Sequence, residues 1–195
     1  MRTWKRPIVL ASSSPRRVQL LSESGIDVLV TPPQIDDGLF SCGSMSVSCW
    51  VKCLAVMKAQ NVKETQNKTT GTVLAADTVC VIDDVIIGQP DNAIEAEKML
   101  QSMANRDHEV CTGWCLLSLE DETIYVGCDV ATIKMGVIPE HEISKYISTQ
   151  QWQGKAGGYN LSERIESGWP IECDGDPTSV MGLPMVSLLK ELAIG

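Results

Sequence analysis

Ile8-Val9-Leu10-Ala11-Ser12-Ser13-Ser14-Pro15-Arg16-Arg17-Val18-Gln19-Leu20-Leu21 is the stretch that decides the fold. Its first four residues are an apolar run that reads as a buried strand. The three serines read as a tight connection, and Pro15 stands where a helix should begin. Ser14 is a good helix cap. Pro15 suits the first helical position because its φ is already fixed, and Val18 and Leu21 turn inward before Gly25 stops the helix. The turn is therefore a helix N-terminus, whose unpaired N–H groups and dipole attract anions. Ser12 and Ser13 add hydroxyls, and Arg16 and Arg17 add two permanent cations. Together these residues make a phosphate-binding site in outline.

The rest of the chain narrows what that site can serve. At 195 residues it can bury a proper core, and no linker divides it, so one domain over 1–195 is expected. Its composition is 44% hydrophobic and 21% charged with a mean hydropathy of +0.01, which describes a water-soluble globular protein. A formal charge of −9 argues against a nucleic-acid polymer or an anionic membrane as partner and leaves a small anion in a local basic pocket. None of the eight cysteines forms a C-x-x-C pair and only His108 and His141 are available, so a Cys/His metal cage is not expected. The cysteines read as small buried apolar residues. No signal peptide or membrane span is evident, which makes the cytoplasm the expected compartment.

Alternating elements follow the opening unit. Ile26–Val30 reads as a strand, Ser48–Val62 as a helix with Trp50, Leu54 and Met57 at helical spacing, and Thr72–Ile82 as a central strand. Asp83-Asp84 is a tight turn into the short strand Val85–Ile87. Asn92 with Glu95 resembles a capping box and opens a helix carrying Ala96, Leu100 and Met103 on one face. His108–Leu119 and Thr123–Met135 read as two long strands joined by the acidic hairpin Glu120–Glu122. Helices are expected over Pro139–Ile147 and Pro184–Leu192, a strand over Ile171–Cys173, and a glycine-rich loop over Gly154–Tyr159. Hairpins beside crossovers give an α/β fold with mixed strand directions.

Asp77 is the most informative residue outside the opening turn. A carboxylate inside a buried strand costs several kcal/mol, of order, unless it is paired or bound to a cation, and neighbouring Thr78 is not enough. It is either a structural residue capping backbone N–H groups or a catalytic one. Asp36 and Asp37 form an acidic pair in a loop, where a solvated turn is the plainer reading. With Asp77 they would supply the hard oxygens that Mg²⁺ or Mn²⁺ prefers. Lys58 lies beside an apolar stripe, where lysines usually snorkel to water, and Lys155 sits among glycines that let backbone approach a ligand. His108 and His141 lack a triad's neighbours and read as structural. No Walker loop or G-x-G-x-x-G is present. What remains is metal-assisted chemistry on a phosphate chain.

Leu10-Ala11-Ser12-Ser13-Ser14-Pro15-Arg16-Arg17 followed by Leu20-Leu21 resembles the signature of the Maf family of nucleoside triphosphate pyrophosphatases, and later segments agree in order. Ala75–Val79 resembles the family's G-A-D-T-V strand, Gly88-Gln89-Pro90 its G-K-P turn, and His108–Gly113 its H-x-V-x-T-G strand. Lys155–Tyr159 resembles K-A-G-A-Y, and Val180–Pro184 resembles V-x-G-L-P. The resemblance implies an elongated mixed sheet flanked by helices, with two lobes around a nucleotide cleft. It also implies a cytoplasmic, often dimeric enzyme that cleaves between the α and β phosphates with a divalent metal such as Mg²⁺, Mn²⁺ or Co²⁺.

Carried over by position, Ser12, Ser14, Arg16 and Arg17 would hold the phosphates and Lys58 would neutralise charge. Asp77 would activate water or bind metal, with Asp37 in place of an acid that is usually Glu. Gln89 replaces the Lys of G-K-P, removing a charge from a phosphate contact, and Ser162 falls where many members have Gln. Arg16 and Thr78 resemble the dTTP/UTP-hydrolysing branch, whereas Asp176-Pro177-Thr178 and its spacing to Gly182-Leu183-Pro184 resemble the 7-methyl-GTP branch, so the base stays open. The substitutions at Gln89 and Ser162 also admit a second expectation, a catalytically weak nucleotide-binding regulator of cell division.

Overall fold

The computed structural model describes residues 4–36, 39–66 and 69–192. The opening stretch folds as strand β1 (Ile8–Ala11), buried throughout, and helix α1 (Pro15–Glu23). Then come β2 (Val28–Val30), α2 (Val47–Thr65), β3 (Thr72–Ile82), β4 (Val85–Ile87), α3 (Ala93–Met103), β5 (Arg106–Ser118) and β6 (Ile124–Met135). The chain closes with α4 (Glu140–Ser148), α5 (Leu161–Glu166), β7 (Ile171–Asp174), α6 (Pro177–Val180) and α7 (Met185–Glu191). α2 extends past both ends of the expected helix, and at its start Ser46 caps it by accepting from the Cys49 N–H. α5 and α6 have no counterpart in the sequence reading. Among the described residues no helix is long and apolar enough to cross a membrane.

The strands form one mixed sheet in the order β2-β1-β3-β5-β6-β7, with β4 also paired to β3. β1 runs parallel to β2 and β3, and the other pairings are antiparallel. β3 is the hinge of this plan. On one edge its first residues, Thr72–Ala75, pair with β1 and its last, Cys80–Ile82, pair with β4. Asp83 and Asp84, both at positive φ (48° and 61°), turn the chain back to make that short return strand. Between the two pairings Ala76–Val79 meet no strand on that edge among the described residues, although β5 pairs with them on the other. The sheet therefore has a notch, and Asp77 and Thr78 stand in it.

Strand alternation sends these two neighbours to opposite faces. Asp77 shares its face with its β5 partner Gly113, over which α2 lies so closely that a Cβ would come within 2.4 Å of the Val51 carbonyl carbon. Ala55, Ala59 and Val62 of α2 cover Val9, Ala75, Cys115 and Leu117 there. On the opposite face the core is split. Leu10, Leu74 and Trp114 pack with Leu21 of α1 and Leu188 of α7. Cys80, Val110 and Ile133 pack with Leu100 of α3 and with Ile143 and Tyr146 of α4. The lobes expected from the resemblance are these two helical clusters, with the notch between them.

Candidate active site

A cleft of about 770 Å³ opens at the notch, bounded by the start of α1 on one side and by the glycine-rich loop and α5 on the other. It is lined by Ser12, Arg16, Arg17, Lys58, Asp77 and Lys155, which lie far apart in sequence. Ser14, Thr78 and Gln89 also reach it, Gln89 from an exposed position at the margin. Ser162 does not line the wall and touches the site through Arg16. Asp37, expected as a second acid and metal ligand, lies outside the described residues.

Asp77 has the partner its burial demanded. It is 7% exposed, and its Oδ1 accepts from Lys58 Nζ at 2.6 Å. Lys58 descends from α2, the helix that Gly113 allows close to the sheet, and its own side chain is 12% exposed. The lysine beside the apolar stripe thus points into a buried ion pair rather than snorkelling to water. Because the pair borders a cleft and one carboxylate oxygen is engaged by Lys58, the site combines a fixed cation with an anionic oxygen acceptor.

On the other face of the notch, Arg17 acts as a strut. It donates from Nε to the Gly182 carbonyl at 2.7 Å and from Nη1 to the Ala76 carbonyl at 2.8 Å. Among the described residues no strand pairs with Ala76 on that edge of β3, so the guanidinium takes the place of a ladder donor there. Arg17 Nη2 also reaches Thr78 Oγ1 at 3.3 Å. Thr112 Oγ1 donates to the Ser179 carbonyl at 2.8 Å, so Thr78 is the donor in the 2.8 Å contact between the two threonine hydroxyls. This polar chain joins α1, β3, β5 and α6. Gly182, at φ +104°, would bring a Cβ to 3.2 Å from Arg17 Nε, so both backbone and space require glycine there.

The serine turn differs in detail from the expected cap. Ser14 occupies the N-cap position with extended φ and ψ, but its side chain caps no N–H. Its own N–H instead donates to Ser12 Oγ at 3.1 Å, and Ser12, 4% exposed, also accepts from Arg17 Nη1 at 3.2 Å. The turn is preorganised by Ser12, with Arg16 beside it on the cleft.

The facing loop is held by its backbone. Gly157, at φ +67°, donates its N–H to the Gly88 carbonyl at 2.9 Å, tying the loop to the Gly88-Gln89-Pro90 turn. Tyr146 donates to the Gly158 carbonyl at 3.0 Å, and the Tyr159 hydroxyl lies 2.7 Å from His108 Nε2. His108 is 3% exposed, and burial pushes its pKa down to about 4, so it is a neutral core residue. Cys80 reaches the cleft wall, but burial pushes its thiol up to about 12 and leaves it unreactive as a nucleophile.

Sequence reasoning passed over one ionic centre. Asn160 Oδ1 accepts from the Glu163 N–H at 3.1 Å and starts α5. Glu163 Oε1 then meets Arg16 Nη2, and its Oε2 meets Lys155 Nζ, both at 2.8 Å. Burial pulls the Glu163 pKa upward, but the hydrogen bond and charge of Lys155, with Arg16 and Arg164, outweigh it and leave the carboxyl more acidic than usual. The signal was available: Asn160-x-x-Glu163 repeats the Asn92-x-x-Glu95 pattern, and Asn92 Oδ1 likewise accepts from the Glu95 N–H at 3.0 Å.

A helix N-terminus with arginines, opposite a lysine and around a buried Asp–Lys pair, defines an α/β protein with an anion-binding cleft suited to phosphate chemistry. A family profile described as "Maf-like protein" matches residues 7–194, and the chain belongs to that family. A "dTTP/UTP pyrophosphatase" of Pyrococcus furiosus is 32% identical over 97% of this chain and 96% of its own length. One of Caldicellulosiruptor bescii is 36% identical over 93% and 90%, and one of Dictyoglomus thermophilum 34% over 94% and 93%. Among solved structures, a nucleoside-triphosphatase / dITP/XTP pyrophosphatase from Mycobacterium abscessus is similar over 68% of this chain and 74% of its own, at 14% identity and a TM-score of 0.41.

Proposed function

We propose that the chain is a nucleoside triphosphate pyrophosphatase that hydrolyses the α–β anhydride of dTTP and UTP, giving the nucleoside monophosphate and pyrophosphate. The observation that carries this reading is the Asp77–Lys58 pair, set in the β3 notch and bordering the same cleft as the serine–arginine turn. Three relatives that match nearly the full chain are named dTTP/UTP pyrophosphatases, which supports these two bases.

The triphosphate lies against the α1 N-terminus and Arg16, with Lys155 facing it and Gln89 adding an uncharged donor at the margin. Water attacks the α-phosphorus and gives its proton to the free oxygen of Asp77 as the bond to the bridging oxygen breaks; the electron pair leaves with pyrophosphate. Lys58 fixes the Asp77 carboxylate in place through their 2.6 Å ion pair and offsets the negative charge that gathers beside it. Ser12 keeps the turn in shape, and Thr78 with Arg17 holds the notch open.

The donor set also fits a hard divalent cation. Among the described residues no three His, Cys, Asp or Glu side chains converge. One buried carboxylate beside phosphate oxygens is nevertheless a common way for Mg²⁺ to bind, since it retains waters and shares ligands with substrate. As the alternative to taking the proton, Asp77 would hold the ion through the oxygen that Lys58 does not engage, with Asp37 as the second carboxylate proposed from sequence. The chemistry a bound Mg²⁺, Mn²⁺ or Co²⁺ supplies is neutralisation of phosphate charge.

The proposal extends to one domain acting in the cytoplasm, without a nucleic-acid or membrane partner, and to a homodimer that sedimentation would reveal. A panel of canonical and modified nucleotides, 7-methyl-GTP included, tests the function. Pyrophosphate release fastest from dTTP and UTP supports it. Tight nucleotide binding without turnover in any of the three metals would favour the regulator instead.

A further inference from the structure

We infer that Glu163 is a built-in competitor of the substrate's phosphates, a carboxylate that holds Arg16 and Lys155 together until a phosphate displaces it. The inference rests on the nucleotide reading of the cleft and adds a residue to it. Arg16 belongs to the α1 side and Lys155 to the glycine-rich loop on the opposite side, and both line the cleft. Glu163 lies outside the lining and gives one carboxylate oxygen to each, at 2.8 Å. Ser162 Oγ accepts from Arg16 Nη1 at 3.3 Å while Glu163 takes Nη2. The guanidinium fork is therefore met by two oxygens from one helical turn, as two oxygens of a phosphate would meet it.

A triphosphate in the cleft needs the same N–H donors, and it brings a charge that repels the carboxylate. Protonation does not relieve the conflict, since the two cations make Glu163 harder to protonate than an ordinary glutamate. Rotation of the side chain does. The bond that starts α5 runs from the Glu163 backbone N–H to Asn160, so the carboxylate can leave without unwinding the helix. The side chain is 35% exposed and has water to move into. Ser162 is held by its own donation to Asn160 Oδ1 at 2.9 Å and stays in place to share Arg16 with the incoming phosphate.

The consequence is a threshold. Small anions that reach only one of the two cations lose the competition with Glu163, whereas a polyphosphate that reaches Arg16 and Lys155 together wins it. The test is calorimetric binding of inorganic tripolyphosphate and of orthophosphate to the wild-type protein, Glu163→Gln, Arg16→Ala and the double variant. Glu163→Gln keeps the size of the side chain and one acceptor oxygen, removes the charge and turns the other acceptor into an amide donor that neither cation can use. Tripolyphosphate should bind Glu163→Gln about five- to tenfold more tightly, the scale of two partly exposed ion pairs. Orthophosphate should bind Glu163→Gln measurably and the wild-type protein much more weakly. In the Arg16→Ala background the same change should gain less, because half of the competition is already gone. Unchanged or weaker tripolyphosphate binding by folded Glu163→Gln would overturn the proposal and make Glu163 a positioning residue for the two cations. A gain that is equal with and without Arg16 would also overturn it. These binding results do not depend on turnover: a wild-type protein that binds tripolyphosphate but releases no pyrophosphate from nucleotides would sink the catalytic reading alone.

Discussion

Asp77→Asn isolates the charge of the central carboxylate while keeping its shape. The side chain is nearly buried, and its contact with Lys58 is 2.6 Å, so the variant leaves a buried ammonium facing a neutral amide oxygen. The amide can still accept a hydrogen bond, which limits the loss of stability to about 1–3 kcal/mol. For a chain of this length that is a fall in Tm of about 2–4 °C per kcal/mol. The effect on turnover should be much larger, because the amide cannot take a proton and is a poor cation ligand. Loss of a positioned base typically costs about 10²- to 10⁴-fold. Pyrophosphate release under saturating nucleotide, measured beside a thermal melt, separates the two effects. A folded Asp77→Asn protein that retains more than about a tenth of wild-type turnover would refute the reasoning, since no general-base role tolerates that.

Other consequences are independent of turnover. Gly113→Ala places a Cβ 2.4 Å from the Val51 backbone and must push α2 off the sheet, costing about 3 kcal/mol or more in urea unfolding. Thr112→Val removes the donor to the Ser179 carbonyl and the acceptor for Thr78, and should cost about 1–3 kcal/mol by the same measure. His108 has its folded pKa lowered to about 4 by burial, so the unfolded chain binds the extra proton first. Its contribution is complete above about pH 6.5 and is lost as pH falls toward 4, about 3 kcal/mol at most, and urea melts of His108→Gln across that window should show a shallower decline. The Cys111 and Cys128 sulfurs lie 3.2 Å apart, and the hydrogen bond between them makes the Cys128 thiol more acidic than usual, while burial pushes Cys80 and Cys115 up to about 12. Iodoacetamide should therefore label Cys128 before Cys80 or Cys115, as peptide mass spectrometry would read.

Elements whose signals are local were legible from the chain. β3 and β4 match their expected ranges because a nearly continuous apolar and β-branched run, interrupted only by Asp77, and an Asp-Asp turn define them. α3 was announced by Asn92 and Glu95, and α5, with the same pattern at Asn160 and Glu163, was missed because its helix is short and follows a glycine-rich loop. β2 is shorter than expected at its start, where Ile26 and Asp27 remain outside the ladder with β1. The need of Asp77 for a cation followed from burial alone, but its choice of Lys58 did not. That contact depends on α2 crossing Gly113, a long-range packing event without a local signal. Arg17 shows the same limit from the other side. Sequence assigned it to phosphate, and only the unpaired edge of β3 explains its bonds to the Ala76 and Gly182 carbonyls.

The most direct test of the central claim is the identity of the products formed from dTTP and UTP with Mg²⁺, Mn²⁺ or Co²⁺, resolved by ³¹P NMR. The account predicts nucleoside monophosphate and pyrophosphate in equal amounts, with solvent ¹⁸O appearing in the monophosphate because water attacks the α-phosphorus. Nucleoside diphosphate with orthophosphate, or ¹⁸O in the pyrophosphate, would contradict it.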